Sequence, residues 1–437
     1  MDSPPLTRAL LVERFHGWAQ PPSSWRVGGE FERHALRPDG TPVGYDGPHG
    51  IRALLEALAA DTGWALQEED RRPIGLQAPD GGPRVSLEPG GQLELSGRPH
   101  ARLADLATEF HDFLGSLRRL TREWPLCWVA CGYHPFATVE AIGWVPKSRY
   151  DVMRAYLAGR GELAHAMMKA TCSVQVNVDY GDEDDCARKV QVVARLAPLT
   201  TALLANSPLK EGRPTGFLSY RAHVWAHVDG QRCGLPPALV DGYRHARWVD
   251  HLLQVPMMFV RQQGRHVPAR GMTFARWMEA GFLGRRPTLE DWDLHLTSVF
   301  PEARVKRTLE IRGMDCVPQA LATAASALFA GLLYDSAALD GALGLAKDLT
   351  RWGTPEELWG RAARAGLQAE AGRSYSAWAS DMVALAHRGL AAWQPTALPL
   401  LAPLEALAAR GSSPAVDLLA THRRDPRPAA ILATLDT

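Results

Sequence analysis

Gly28-Gly29-Glu30-Phe31-Glu32-Arg33 sets two carboxylates two residues apart. In an extended strand they share a face, with Phe31 on the other. Like charges so placed repel unless water or a cation neutralises them. A solvated edge strand carries the same pattern, so the pair alone decides nothing. Two further segments repeat the chemistry. Ser86-Leu87-Glu88-Pro89-Gly90-Gly91-Gln92-Leu93-Glu94-Leu95-Ser96 puts Glu88, Gln92 and Glu94 on alternate positions, with leucines between. Its Pro-Gly-Gly insert is expected to bend or bulge the strand and to let a ligand approach the backbone. In Leu309-Glu310-Ile311-Arg312-Gly313, Glu310 and Arg312 share a face opposite Leu309 and Ile311. Glu30, Glu32, Glu88, Glu94 and Glu310 together suit a hard cation such as Mg²⁺, held by carboxylates and substrate phosphates. Arg312 beside Glu310 is placed to hold a transferring phosphoryl group by two donors.

A second set of residues suits an amino acid or a nucleotide. Residues 171–179 alternate strictly, with Thr171, Ser173, Gln175, Asn177 and Asp179 on one face. Read as a strand, Ser219-Tyr220-Arg221-Ala222-His223-Val224-Trp225 lines up Arg221, His223 and Trp225. In Pro146-Lys147-Ser148-Arg149-Tyr150, Arg149 opens a helix beside an aromatic ring. The planar fork of arginine grips both oxygens of a carboxylate, which an α-amino acid substrate requires. Each of these faces would equally serve in solvent, and their number argues for a shared site.

The elements that must position these groups mix short strands with long helices. Apolar spacing predicts helices at 51–58, 103–120, 150–168 and 185–204, and an almost wholly helical final third from Cys316. Strands are expected at 25–36, 84–96, 171–179, 217–227 and 307–312. The expectation is an α+β fold with one sheet face of polar groups. The Gly/Pro-rich stretch 208–216 is expected to be either a mobile flap or an exposed connection. The polar, Pro-spotted tail beyond Gly411 is expected to be partly disordered.

The chain has 437 residues, with 48 basic and 48 acidic side chains. That balance gives no sign of a nucleic-acid binder or an acidic tail. Met1-Asp2-Ser3-Pro4-Pro5 lacks the basic and apolar regions of a secretory signal. The longest apolar stretch, about 320–334, is too short and too Ala/Ser-rich to span a membrane, and reads as a buried helix. Cys127, Cys131, Cys172, Cys186, Cys233 and Cys316 form no C-x-x-C pair and no zinc pattern. They read as reduced, structural thiols in a cytoplasmic protein.

The block from Ser86 to Gly97 resembles the signature of glutamate–cysteine ligases of the plant and proteobacterial type. Similar stretches follow in the family's order at 146–150, 167–177, 205–208 with 216–219, and 309–313. The resemblance runs from Gly28 to Tyr334 and more weakly to the end. It implies a glutamine-synthetase-like antiparallel sheet that lines the active site and is backed by helices. Residues 1–315 would form the catalytic part, and 316–437 a helical region packed on the same domain. It implies ATP-driven ligation of the glutamate γ-carboxylate to the amine of cysteine through γ-glutamyl phosphate.

Carried over residue by residue, the resemblance implies Glu30, Glu32, Glu88, Glu94 and Glu310 as ligands of two or three Mg²⁺. Arg149 and Arg221 would hold the glutamate carboxylates, with Tyr150, Trp225, Thr171, Ser173 and Met258 in the substrate site. Gln175, Asn177, Lys147 and Lys306 would meet the nucleotide. Arg312 and Glu88 would act in catalysis. Plant relatives carry a tyrosine where Met258 stands, which bears on the acceptor amine. The cysteines of the plant regulatory disulfides have no match here. Rival readings are a related ligase with another acceptor and a non-catalytic nucleotide-binding homologue. The partners implied are glutamate, cysteine or a related amine, and ATP, with the protein a monomer or homodimer in glutathione or ergothioneine synthesis.

Overall fold

The structure is a computed structural model and describes residues 6–435. Nine strands form one antiparallel sheet: β1 (Val27–Leu36), β2 (Ala65–Glu69), β3 (Arg72–Gln77), β4 (Arg84–Leu87), β5 (Leu93–Ser96), β6 (Cys127–Val129), β7 (Ser173–Val178), β8 (Ala303–Val305) and β9 (Leu309–Asp315). The order is β8-β9-β7-β1-β5-β4-β3-β2, and β6 pairs with the far end of β1. The register sets Glu32 opposite Glu94, Glu30 opposite both Ser96 and Gln175, and Arg304 opposite Glu310.

Alternation places the apolar partners of these residues on the other face. There Phe31 stacks on Phe110 at 3.8 Å between ring centroids. Phe110 belongs to the helix Leu103–Leu120, whose stripe Leu103, Leu106, Phe110, Leu114 and Leu117 is buried at three- and four-residue spacing. Asp105 near its start and Arg118 and Arg119 at its end match the helix dipole. The helix Gln319–Tyr334 also lies behind β1 and β7 and is buried on nearly every side. Small residues let it meet the helix Tyr375–Trp393 closely: a Cβ on Gly331 would sit 2.2 Å from the carbonyl oxygen of Ala386. Among the described residues no single helix is long and apolar enough to cross a membrane.

Several expectations change. Residues 84–96 do not form one bulged strand. They reverse through Pro89-Gly90-Gly91-Gln92 into the β4–β5 hairpin, with Gly91 at φ +91°. The helix expected at 150–168 is two, Ser148–Leu157 and Ala164–Ala170. Gly161 separates them at φ +89°, where a Cβ would meet the carbonyl oxygen of His227. The strand expected at 217–227 is the helix Tyr220–Ala226, capped by the Ser219 side chain. Alternation over seven residues cannot compete with an N-cap and tertiary packing.

The stretch 208–216 is a two-rung hairpin, not a flap. Gly212 donates to the Pro135 carbonyl at 2.8 Å and its own carbonyl meets the His422 ring. The tail beyond Gly411 forms the helices Pro414–Arg424 and Pro428–Leu435. Their Leu418, Ile431, Leu432 and Leu435 pack on Leu36 and Val129 and seal that end of the sheet. Burial of this apolar face outweighs the polar composition that suggested disorder. Residues 1–5, read above for a secretory signal, lie outside the described residues.

Candidate active site

A cavity of about 440 Å³ opens on the polar face of the sheet. Glu30, Glu32, Glu88 and Glu94 line it, together with Lys147, Arg149, Tyr150, Thr171, Ser173, Gln175, Arg221, Trp225, Lys306 and Arg312. Residues far apart in sequence thus share one cavity; strands bring Glu30, Glu32, Glu94, Ser173, Gln175 and Arg312, whereas Arg149, Tyr150, Arg221 and Trp225 arrive on helices.

The carboxylates on the central strands hold only neutral donors. Ser173 gives Glu32 its backbone N–H and its hydroxyl, both at 2.7 Å, and Gln175 adds an amide N–H at 3.2 Å. Glu30 accepts from Asn177, and Glu94 from Ser86 and Ser96. Burial and the neighbouring acids Glu310 and Glu94 push Glu30 up to about 7. Burial with Glu88 and Glu94 pushes Glu32 up to about 8. Glu94 is raised for the same reasons, burial first and Glu88 second.

These buried hard-oxygen donors lack positive charge, which fits Mg²⁺. Among the described residues no three acidic, His or Cys side chains already surround a single metal position. Magnesium commonly takes one or two carboxylates and completes its shell with water and phosphate.

The β8–β9 end is different. Glu310 is fully buried, and Arg304, Lys306 and Arg312 all bind it: Arg304 at 2.6 Å, Lys306 at 2.9 Å, and Arg312 through Nη1. Their charge holds the Glu310 carboxyl well below the usual carboxylate range, against the effect of burial. Glu310, expected among the metal ligands, is not among the lining residues, and its two oxygens are held by Arg304, Lys306 and Arg312. Arg312 also reaches Gln175 Oε1 at 2.5 Å. Arg304 lines the cavity but was missed in the sequence, because its role shows only when β8 pairs with β9.

The helix Tyr220–Ala226 brings Arg221 and Trp225 in together at i,i+4. Arg221 Nη2 donates to the Arg312 carbonyl at 2.9 Å. Its Nε and Nη1, and Trp225 Nε1, are buried without a partner among the described residues. A buried guanidinium with two free donors is costly unless an anion completes it. His223, expected beside them, stacks on Phe217 instead and is outside the lining.

Arg149 lines the cavity, but its two Nη groups already hold Thr297 Oγ1 at 2.9 Å and the Thr297 carbonyl at 2.8 Å. Tyr150 lines it too, with its hydroxyl spent on the Leu87 carbonyl. Thr171 Oγ1 donates to Met167 at 2.6 Å. Burial lowers Lys147 and Lys306 from the usual lysine value.

Besides Glu310, two expected site residues are not in the lining. Met258 is a core residue, 1% exposed, on the short apolar run that enters the hairpin Phe259–Gln262/Arg265–Pro268. Asn177 stands one position beyond it, bridging Glu30 and Thr308.

A family model described as glutamate–cysteine ligase family 2 matches residues 26–431. The chain belongs to this family. It is 39% identical over 352 residues to chloroplastic glutamate–cysteine ligase A of Oryza sativa subsp. indica, covering 79% of this chain and 70% of the relative. It is 39% identical over 356 residues to the chloroplastic enzyme of Brassica juncea, covering 79% and 67%. The crystal structure of a glutamate–cysteine ligase from Francisella tularensis in complex with AMP superposes with a TM-score of 0.56 at 12% identity, covering 94% of this chain and 87% of that one. A bifunctional glutathione synthetase from Pasteurella multocida gives 0.52 at 13%, covering 97% and 52%. At such identity these two likenesses are of fold, and they agree with the antiparallel sheet expected from the sequence.

Proposed function

We propose that this family member joins the γ-carboxylate of glutamate to the amine of cysteine, consuming ATP and forming γ-glutamyl phosphate on the way. The observation that carries the reading is one cavity lined both by Glu30, Glu32, Glu88 and Glu94, none of them in an ion pair among the described residues, and by the cations Arg221, Arg304, Lys306 and Arg312. A triphosphate bridged by divalent cations would satisfy both.

Glu30, Glu32, Glu88 and Glu94 are the groups that would hold Mg²⁺, two or three ions in all. When bound, the metal would offset charge on the phosphates as a Lewis acid. Arg312, aimed by Glu310 and Gln175, meets the charge that develops on the transferring phosphoryl group. Lys306, Arg304 and Lys147 hold the remaining phosphate oxygens. Arg221 grips a glutamate carboxylate with its two unpaired donors, and Trp225 gives an indole N–H beside it. Tyr150, Thr171 and Ser173 shape the amino-acid end. The amine then attacks the acyl phosphate and expels phosphate, in a site closed enough to slow hydrolysis. Residues 1–315 act as the catalytic part, with 316–437 as its helical support. The product enters glutathione or ergothioneine synthesis in the cytoplasm.

The test is phosphate release from ATP with glutamate and a panel of amines, with and without Mg²⁺. Glutamate-dependent release that requires cysteine and Mg²⁺ is expected. Release with another amine and none with cysteine would move the assignment to a different acceptor. Metal-independent nucleotide binding without turnover would make the protein a binding homologue.

A further inference from the structure

The strand β9 carries an irregularity just past its catalytic arginine. Ile311 pairs with Val176, yet Met314 pairs with Val174, so β9 spends one residue more than β7. The extra residue reverses the alternation. Met314 turns into the core, fully buried, and Asp315 comes to the polar side opposite Ser173. Gly313 sits at the bulge, where a Cβ would lie 1.9 Å from Glu302 Oε2.

Asp315 is 2% exposed, and its carboxylate is fully engaged. Oδ2 accepts from the Asn206 N–H at 2.8 Å and the Ser207 hydroxyl at 2.7 Å. Oδ1 accepts from the Ser219 hydroxyl at 2.8 Å. Those hydroxyls in turn accept from the helix Tyr220–Ala226: Ser207 Oγ from the Arg221 N–H at 3.0 Å, Ser219 Oγ from the Ala222 N–H at 3.1 Å. A hydroxyl has one proton. Both serines must give theirs to Asp315, so the polarity of the chain of bonds needs a carboxylate at its centre. An amide in its place presents an N–H₂ to one hydroxyl and leaves that hydroxyl without an acceptor.

We propose that Asp315 is a positioning residue that fixes the helix bearing Arg221 and Trp225 to the strand bearing Arg312. It thereby sets where the substrate carboxylate lies relative to the phosphoryl-transfer arginine. The functional half of this rests on the ligase reading above; the structural half does not. Asp315 has hydrogen-bond partners, Asn206, Ser207 and Ser219, that lie outside the cavity lining, and it feels the charge of Arg221 electrostatically. It acts through Ser207 and Ser219 and would be felt in glutamate binding before ATP binding.

Two measurements on the full chain decide it. In ligand-free Asp315→Asn protein, hydrogen exchange of the Arg221 and Ala222 amides should quicken while the helix Leu103–Leu120 stays as protected as before. Unchanged exchange at those amides overturns the clamp, whether or not the protein proves to be a ligase. In turnover assays, Asp315→Asn should raise the glutamate KM roughly tenfold, the size of one lost charged hydrogen bond, with the ATP KM little changed.

Added to Arg221→Ala, the same change should cost almost nothing more. Equal losses in both KM values, or additive losses in the double variant, overturn the positioning role. Ser219→Ala, which removes one link and keeps the carboxylate, should show the same KM pattern at smaller size and serves where Asp315→Asn folds poorly. Wild-type protein that releases no phosphate with glutamate and cysteine sinks the ligase reading alone, and the exchange result still decides the clamp.

Discussion

At Glu310 one carboxylate is shared by Arg304, Lys306 and Arg312. A few strands away Glu30, Glu32 and Glu94 face one another with only hydroxyl and amide donors. The first group is complete in the protein alone and holds its arginines still. The second is incomplete, and burial drives its pKa values up. The same residue type, on the same face of one sheet, is thus ion-paired in one place and hydrogen-bonded only to neutral donors in the other. The chain neighbourhood makes the difference: Arg304 on β8, Lys306 between the strands and Arg312 on β9 itself all lie within six residues of Glu310, whereas β5 brings Glu94 to Glu32 from a distant part of the chain.

The largest effect should follow from emptying the cationic end. Arg312→Ala should lower kcat by about 10²–10³, the cost of removing one donor aimed at developing charge. Rapid-quench measurement of acyl-phosphate formation checks it, and an effect confined to the ATP KM would remove Arg312 from the chemistry. Next is the anion grip. Arg221→Ala should raise the glutamate KM about tenfold to a hundredfold, since hydrogen bonds to charged groups are worth ~1.5–3 kcal/mol each. Calorimetric titration of glutamate reads this directly.

The acid end should show itself in pH dependence. Glu30 and Glu32 have native values near 7 and 8, above the unfolded value of about 4.3. The metal-free folded state therefore binds more protons than the unfolded one across that interval. Its stability is present below the unfolded value and is lost as pH rises through 7–8. Glu32→Gln should flatten that decline in thermal melts, and Mg²⁺ should stabilise wild type more at pH 8 than at pH 6. A melt that rises with pH without metal would contradict the incomplete end.

The smallest effect belongs to a residue outside both ends. Met258→Tyr should leave the cysteine KM unchanged and cost about 1–3 kcal/mol of stability by overpacking. A changed cysteine KM at constant stability would return Met258 to the substrate site.

Much of this was legible in the sequence. Period-two spacing gave the polar face of β1, β5, β7 and β9, because alternation is a local property of an extended chain. The helix Leu103–Leu120 was readable to the residue from its apolar stripe. The helix of Arg221 was not, because Ser207, which accepts its Arg221 N–H, is bonded to a carboxylate over a hundred residues away. Met258 kept its hydrophobic character in the sequence, but only packing shows that it faces the core and not the cavity.

By itself the sequence determined which residue types share a face, and hence that acids, amides and Arg312 would be gathered on one side of a sheet. The tertiary structure alone decided that Glu32 would lie opposite Glu94. It also decided that Asp315 would cross to the polar side through one extra residue in β9. The reason is physical: facing, and the cations around Glu310, depend on a residue's own chain neighbours, whereas the grouping of Glu32 with Glu94 depends on strands brought together from distant parts of the chain.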